Sequence, residues 1–280
     1  MNVTLPEKEK GTGKRKVIYG IILTVCVIAI GLAIYQFFAD EKLEVILGLV
    51  KSEDEETELL KSEFNNIFTN RIINSQNVSA NQKLNENEEL IYTEYEVQEK
   101  SINNYDININ IPYINLKNDL AQQYNDDIKK IFNNPTTEIL QTTDRNISYT
   151  VNYIASVENN ILSLAILSTF KEGDNAQRVM ARTYNYDLIN NKEIKLKDYI
   201  ATKEIEKNVV ESKIKKEVET AQEQSQKLRE LGYNIYSRNS TDSIYKIENT
   251  TEFFSYNGHL YILYPYGNNN KTSEMDIVII

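Results

Sequence analysis

From Val17 to Ala39 the chain carries no charged residue, and no other feature constrains its fold as much. As a helix rising about 1.5 Å per residue, such a run spans roughly 34 Å, enough for a hydrocarbon core of about 30 Å with some tilt. Lys14, Arg15 and Lys16 precede it, and Asp40 and Glu41 follow. Positive charge stays on the cytoplasmic side of an inserted helix. Residues 1–16 are therefore expected to be a cytoplasmic tail, 17–39 a single transmembrane helix in the lipid bilayer of the cell membrane, and the rest extracytoplasmic. A cleaved leader would have a shorter apolar stretch, about 7–15 residues, ending in a small-x-small site. Phe37 stands two residues before Ala39, so the expectation is an uncleaved anchor.

The charge balance sharpens this picture. Net charge is −10, yet the tail holds Lys8, Lys10, Lys14, Arg15 and Lys16 against Glu7 and Glu9, so the remainder is more acidic still. An acidic outer part repels phosphate backbones, which excludes nucleic acid as a partner. Cys26 is the only cysteine and lies inside the apolar run, so the outer part has no disulfide and must be held by packing. The abundance of Asn, Ile, Lys and Glu with no Trp is the bias of an AT-rich coding sequence, as in many bacteria.

Beyond the run, apolar spacing predicts an α+β fold: juxtamembrane helices, then an outer domain of mainly antiparallel sheet with covering helices. Residues 40–83 read as juxtamembrane helices and linker. Leu43, Ile46, Leu47 and Val50 keep helical spacing, and Ser52-Glu53-Asp54-Glu55 opens a second helix carrying Leu59, Leu60, Phe64, Ile67 and Phe68 to about Ile73. Residues 84–143 read as a strand-helix subdomain. Tyr105 to Pro112 alternates isoleucine with Asp and Asn, and Leu120, Tyr124, Ile128, Ile131 and Phe132 then form a helix face expected to stop before Asn134-Pro135.

Residues 144–280 read as an antiparallel sheet subdomain with a long helix. Alternation from Ile147 and the apolar run Ile161 to Phe170 flank Glu158-Asn159-Asn160, which predicts a hairpin, and Met180 to Leu188 adds a third strand. A helix is expected from Thr202 along Ile205, Val209, Ile214, Val218 and Leu228, capped by Gly232. Asn257-Gly258 then marks a closing hairpin, and Met275 to Ile280 a last strand.

Chemistry-bearing motifs are few. An activated serine or cysteine needs a base, and the one histidine, His259, sits beside a turn, where an exposed strand end is expected. A lone histidine with no extracytoplasmic cysteine gives no zinc ligand set, and nine glycines include none at nucleotide-loop spacing. No catalytic, cofactor-binding or metal-binding residue is therefore assigned, and no cofactor is expected.

The stretch YDININIPYINLKNDLAQQYNDDI (105–128) resembles the first half of the outer domain of RsiV-type anti-sigma factors. YTVNYIASVENNILSLAILSTF (149–170), TYNYDLINNKEIKLKDYI (183–200) and the closing hairpin are similar to the companion domain of unknown function found in those sensors and beside some peptidoglycan deacetylases. The resemblance runs from about Ile91 to the end. It implies an extracytoplasmic α+β domain; in RsiV-type members that domain binds lysozyme, after which proteolysis frees a sigma factor held by the cytoplasmic part. The tail, Met1 to Lys16, is shorter than a sigma-binding segment, so an anti-sigma function is not expected. Where relatives have a Gly-Gly-Ala-His-like loop, this chain has Gly173-Asp174-Asn175-Ala176, without the histidine.

The expectation is thus a membrane-anchored, noncatalytic recognition or sensor module with a protein or cell-wall ligand. A wall-glycan enzyme using carboxylates and a scaffold for membrane partners are the alternatives. Tyr264, Tyr266 and Asn268 are the candidate ligand-binding residues, in a segment Tyr264 to Asn270 expected to be a loop joining the last two strands. Tyrosine supplies contact area at low entropic cost and Asn offers donors and acceptors. The plainer reading, which turn composition favours, is that both tyrosines pack back on the sheet and the Asn run is solvated.

Overall fold

The computed structural model describes residues 53–73, 82–101, 105–141, 146–268 and 271–280. The basic tail, the apolar run 17–39 and the Leu43–Val50 pattern lie outside them. Among the described residues no helix is long and apolar enough to cross a membrane. The chain divides into two units, Met1–Leu59 and Leu60–Ile280. The first is represented by the opening turns of helix α1 (Glu53–Ser62), and the second contains all the elements that follow.

The helix predicted to reach Ile73 breaks up. A 3₁₀ turn, Phe64–Ile67, follows α1, and Asn70 at φ +57° takes the left-handed conformation that ends helical geometry. The chain then enters strand β1 (Arg71–Ile73), which pairs in parallel with Ile154–Ser156. Residues read as a juxtamembrane helix thus contribute a strand and two buried aromatics, Phe64 and Phe68, to the domain.

Strand β2 (Ile91–Ser101) is unexpected, because its bulge between Thr93 and Tyr95 interrupts the alternation. Strand β3 (Tyr105–Ile114) follows its isoleucine pattern: Ile107, Ile109 and Ile111 are buried. Helix α2 (Asp119–Ile128) is capped by Asn118, whose side chain accepts the Ala121 N–H at 2.8 Å. It does not stop at Asn134-Pro135. A π turn, Lys129–Asn133, widens the coil, and helix α3 (Asn134–Leu140) continues with Pro135 in its first turn. The π turn immediately before it makes room for the proline ring within the continuing coil.

Strands β4 (Ile147–Glu158), β5 (Ile161–Glu172) and β6 (Arg178–Asp187) form the expected meander, joined first by Asn159 and Asn160, both at positive φ. With the two-residue β7 (Lys192–Glu193) they complete a seven-stranded sheet in the order β2-β3-β4-β5-β6-β7, with β1 also on β4. Strand β3 pairs in parallel with Ile147–Val151 of β4, and β1 takes over the same edge at Ile154. Asparagines bridge the changeover: Asn70 Nδ2 and Asn110 Nδ2 both donate to Asn152 Oδ1, at 2.9 and 3.0 Å.

Beyond β7 the buried Ile194 leads into helix α4 (Leu196–Thr202). Glu204, at φ +55°, separates it from α5 (Lys207–Glu230). The buried stripe of α5 is therefore Val210, Ile214 and Val218, and Val209 is half exposed. Gly232, at φ +91°, ends it: its N–H reaches Arg229 O and that of Tyr233 reaches Leu228 O, the paired bonds of a Schellman cap.

Strands β8 (Glu252–Tyr256), β9 (His259–Asn268) and β10 (Lys271–Ile279) make a second, three-stranded antiparallel sheet. Four layers result. One face of the large sheet packs under α2, where Ile109, Ile128, Phe132, Val151 and Leu164 are buried. Its other face meets the small sheet through Ile154, Ala165, Phe254 and Tyr261, together with Phe64 and Phe68. The far face of the small sheet lies against α4 and α5.

Edge strand β8 lies across the large sheet, and side chains satisfy its backbone. Phe253 N–H donates to Thr183 Oγ1 (3.0 Å), Asn185 Nδ2 donates to Phe253 O (2.7 Å), Ser255 N–H donates to Ser163 Oγ (3.0 Å), and Ser156 Oγ donates to Ser255 O (2.7 Å). Glu252 does the converse for the open edge of β6, accepting from Thr183 N–H at 2.8 Å and from Arg182 Nη1 at 2.9 Å. Buried edge groups left unpaired would each be costly.

Candidate binding groove

The segment expected to be a loop is strand: β9 runs through Tyr264 and Tyr266 to Asn268 and pairs with β10. Leu260, Ile262, Tyr264 and Tyr266 alternate on the face under α5, so the two tyrosine rings are buried. Pro265 is tolerated because β8 ends opposite Leu263, leaving β9 with one neighbour beyond that point. The side chain of Asn268 lies outside the described residues.

Both tyrosines are tied inward by their hydroxyls. Tyr264 pairs with Thr250 at 3.1 Å, and burial pushes its phenol up to about 12. Tyr266 donates to Asp276 Oδ2 at 2.7 Å and lies 2.6 Å from the Tyr245 hydroxyl. Burial first, then these partners, raise the Tyr266 pKa, so it stays a neutral donor. Arg238 covers its ring, grips Asp276 through Nε and Nη2, and reaches Glu274 through Nη1 at 2.6 Å. Every polar group in this cluster is engaged. Beside it, a polar hollow of about 440 Å³ between the last turns of α5 and Ser237-Arg238 is lined by neither tyrosine.

A larger groove, about 620 Å³, opens on the opposite side of the domain core, between the π turn with α3 and one end of β4, β5 and β6. That volume is in the range of about 300–1,000 Å³ common to ligand sites. Strand register builds its floor in rows: Tyr149, Phe170 and Arg178 lie opposite one another, and Val151, Ser168 and Met180 form the next row. Tyr149 and Phe170 meet edge to face at 5.8 Å. Burial pushes the Tyr149 phenol up to about 12, against a hydrogen bond with Thr136. The small Ser168 between Val151 and Met180 leaves the space. It is 4% exposed, and its hydroxyl makes no hydrogen bond among the described residues.

Ile131, Pro135 and Ile139 form the wall opposite this floor. The rim is charged: Lys130, Arg178 and Arg182 with Asp127 and Glu138. Arg182 is committed in part to Glu252, and Asp127 accepts the Tyr184 hydroxyl at 2.8 Å, which, after burial, is the main reason that the Tyr184 pKa is raised. Arg178 and Lys130 have no ion-pair partner among the described residues. Glu252 is buried with its pKa raised by desolvation, as a general acid requires, but both its oxygens are taken up between the sheets and it does not line the groove.

The sequence matches no family model and no curated protein. Two solved structures are similar to parts of the chain, both of DUF3298 family proteins. One is from Bacteroides fragilis, with 13% identity and a TM-score of 0.32, over 63% of this chain and 81% of that one. The other is from Pseudomonas aeruginosa, with 10% identity and a TM-score of 0.35, over 64% and 82%.

Among the described residues no group of three or more His, Cys, Asp or Glu could hold a metal ion. His259 follows the Asn257-Gly258 turn, partly exposed and opposite Tyr256. The groove residues escape a sequence reading because they come from four separate segments, the 127–139 helix and strands β4, β5 and β6. One signal was available: Arg178 and Arg182 alternate with the core-facing Met180 and Tyr184, so two cations stand on the inward face of a strand.

Proposed function

We propose that the chain is a membrane-anchored extracytoplasmic recognition module that holds a protein or cell-wall ligand without catalysing a reaction, and that the groove over β4–β6 is its binding site. The observation that carries this reading is the groove itself: an apolar floor, and a Ser168 hydroxyl, Arg178 and Lys130 that have no hydrogen-bond or ion-pair partner among the described residues. Open polar groups beside apolar area favour binding, in contrast with the saturated cluster around Tyr266. The anchor rests on the charge-free run Val17–Ala39 with its flanking charges, and a sensor role on the resemblance to RsiV-type outer domains.

The rival is a wall-glycan enzyme, for which Asp127 and Glu138 would be the carboxylates, since both line the same groove. Full-length protein in detergent, titrated with lysozyme and with peptidoglycan fragments, separates the two. Binding of either without turnover, weakened by Ile139→Trp, supports recognition. Hydrolysis of wall material would replace it, and absence of both at high micromolar concentration would remove the groove reading. Reporter fusions test the anchor: a cytoplasm-active reporter working at the C-terminus would overturn the topology.

A further inference from the structure

We infer that the groove selects a ligand that carries a carboxylate next to an apolar group, such as the C-terminal or acidic residue of a peptide; this rests on the groove being the binding site. Charge is the first argument. The chain has a net charge of −10, yet among the described residues this rim carries Lys130, Arg178 and Arg182 beside Asp127 and Glu138, and only Arg182 of the three cations is engaged, by Glu252. One carboxylate, Asp127, already accepts from Tyr184, and Arg178 and Lys130 have no ion-pair partner among the described residues. A site that leaves cations unpaired in an acidic protein is complementary to an anion.

Geometry narrows the anion. Arg178 stands in the same cross-strand row as Tyr149 and Phe170, so a group paired with the guanidinium lies directly against the aromatic floor. One row further in, Ser168 presents to the groove a hydroxyl with no hydrogen-bond partner among the described residues. A planar guanidinium fork fits a carboxylate through two parallel N–H···O bonds, and the nearby rings and Met180 accept the apolar group attached to it. A free phosphate would use the cations and leave the floor uncovered.

The test uses full-length protein in detergent and two probes that differ only in charge: N-acetyl-phenylalanyl-alanine with a free C-terminal carboxylate, and its C-terminal amide. Titration calorimetry is expected to show the acid binding at least tenfold more tightly than the amide, and the preference shrinking as salt rises. Arg178→Gln should abolish the preference with an unchanged melting curve, and Arg178→Lys should keep part of it. Ile139→Trp, on the partly exposed wall, should weaken both probes. Equal binding of acid and amide, both lost in Ile139→Trp, would overturn the carboxylate selectivity and leave the groove as a binding site. Displacement of the acid probe by equimolar inorganic phosphate would overturn it as well. Absence of binding by either probe at millimolar concentration would sink this inference, and the wall and lysozyme titrations would then decide the broader reading.

Discussion

Arg238 lies over the ring of Tyr266, its guanidinium carbon 4.5 Å from the centroid, and the same two residues share the carboxylate of Asp276. The arginine is thus held from the face and from the edge by one strand pair. Because the side chain of Tyr266 is enclosed and its hydroxyl is saturated, Tyr266→Ala should cost about 3–5 kcal/mol, as for other buried aromatic truncations. Tyr266→Phe should cost about 1–3 kcal/mol by leaving Asp276 short of a donor. Thermal melts of both variants check this; for a domain of this size each kcal/mol lowers the midpoint by about 2–4 °C. An unchanged melt for Tyr266→Ala would contradict the buried position.

Ser163 Oγ donates to Asn185 Oδ1 at 2.6 Å while accepting the N–H of Ser255. Ser163→Ala is therefore expected to strand one backbone donor and one amide oxygen between the sheets and to cost about 1–3 kcal/mol. Asn185→Ala strands the Phe253 carbonyl instead. The double variant should lose less than the sum of the two, since they share one network. Urea unfolding of the three variants measures this; strict additivity would show that the residues act separately.

Burial raises the pKa of Glu252, and the Arg182 guanidinium opposes that shift. A carboxyl with a raised folded pKa binds more protons in the folded state, so its contribution to stability is full below the ordinary glutamate value and declines as pH rises through the folded value. Removing the cation with Arg182→Gln should raise that value further. The loss is expected to reach about 1–3 kcal/mol at pH 7, to shrink as pH falls through the raised folded values, and to be small by about pH 4.5, where a protonated carboxyl needs no cation. Melting curves across this range test the sign: a deficit that does not change with pH would refute it.

Gly258, at φ +81°, occupies the second position of the Asn257-Gly258 turn, and a Cβ placed there would meet no atom within 4 Å. Only conformational strain should therefore penalise Gly258→Ala, at about 1–2 kcal/mol. Gly258→Asn should recover much of that, since asparagine accepts left-handed geometry more readily. Chemical denaturation of the pair distinguishes strain from a steric clash, which would make the asparagine variant the worse one.

How legible these features are in the sequence depends on the distance over which each is encoded. The isoleucines of β3, the Asn159-Asn160 and Asn257-Gly258 turns and the Gly232 cap are set by neighbouring residues, and each stands where the pattern predicts. Strand β1 depends on Ile154–Ser156, more than eighty positions away, so local helical spacing outweighed it. Tyr264 and Tyr266, in a Pro-Gly-Asn context, fit both a recognition role and packing back on the sheet, and the helix above them decides for the core. The groove has no local code, because its depth comes from a serine between Val151 and Met180 on neighbouring strands.

The pairing of β1 with Ile154–Ser156 also bears on biosynthesis. Residues 71–73 leave the ribosome some eighty residues before their partners, which at about 5–20 residues per second is a delay of roughly 4 to 17 seconds. Phe64 and Phe68 wait longer still, since Phe254 and Tyr261, which they pack against, come near the end of the chain. The first part of this domain to be made is thus among the last to find its place. Until Phe254 and Tyr261 are made, the two phenylalanines lack the rings that cover them in the native fold.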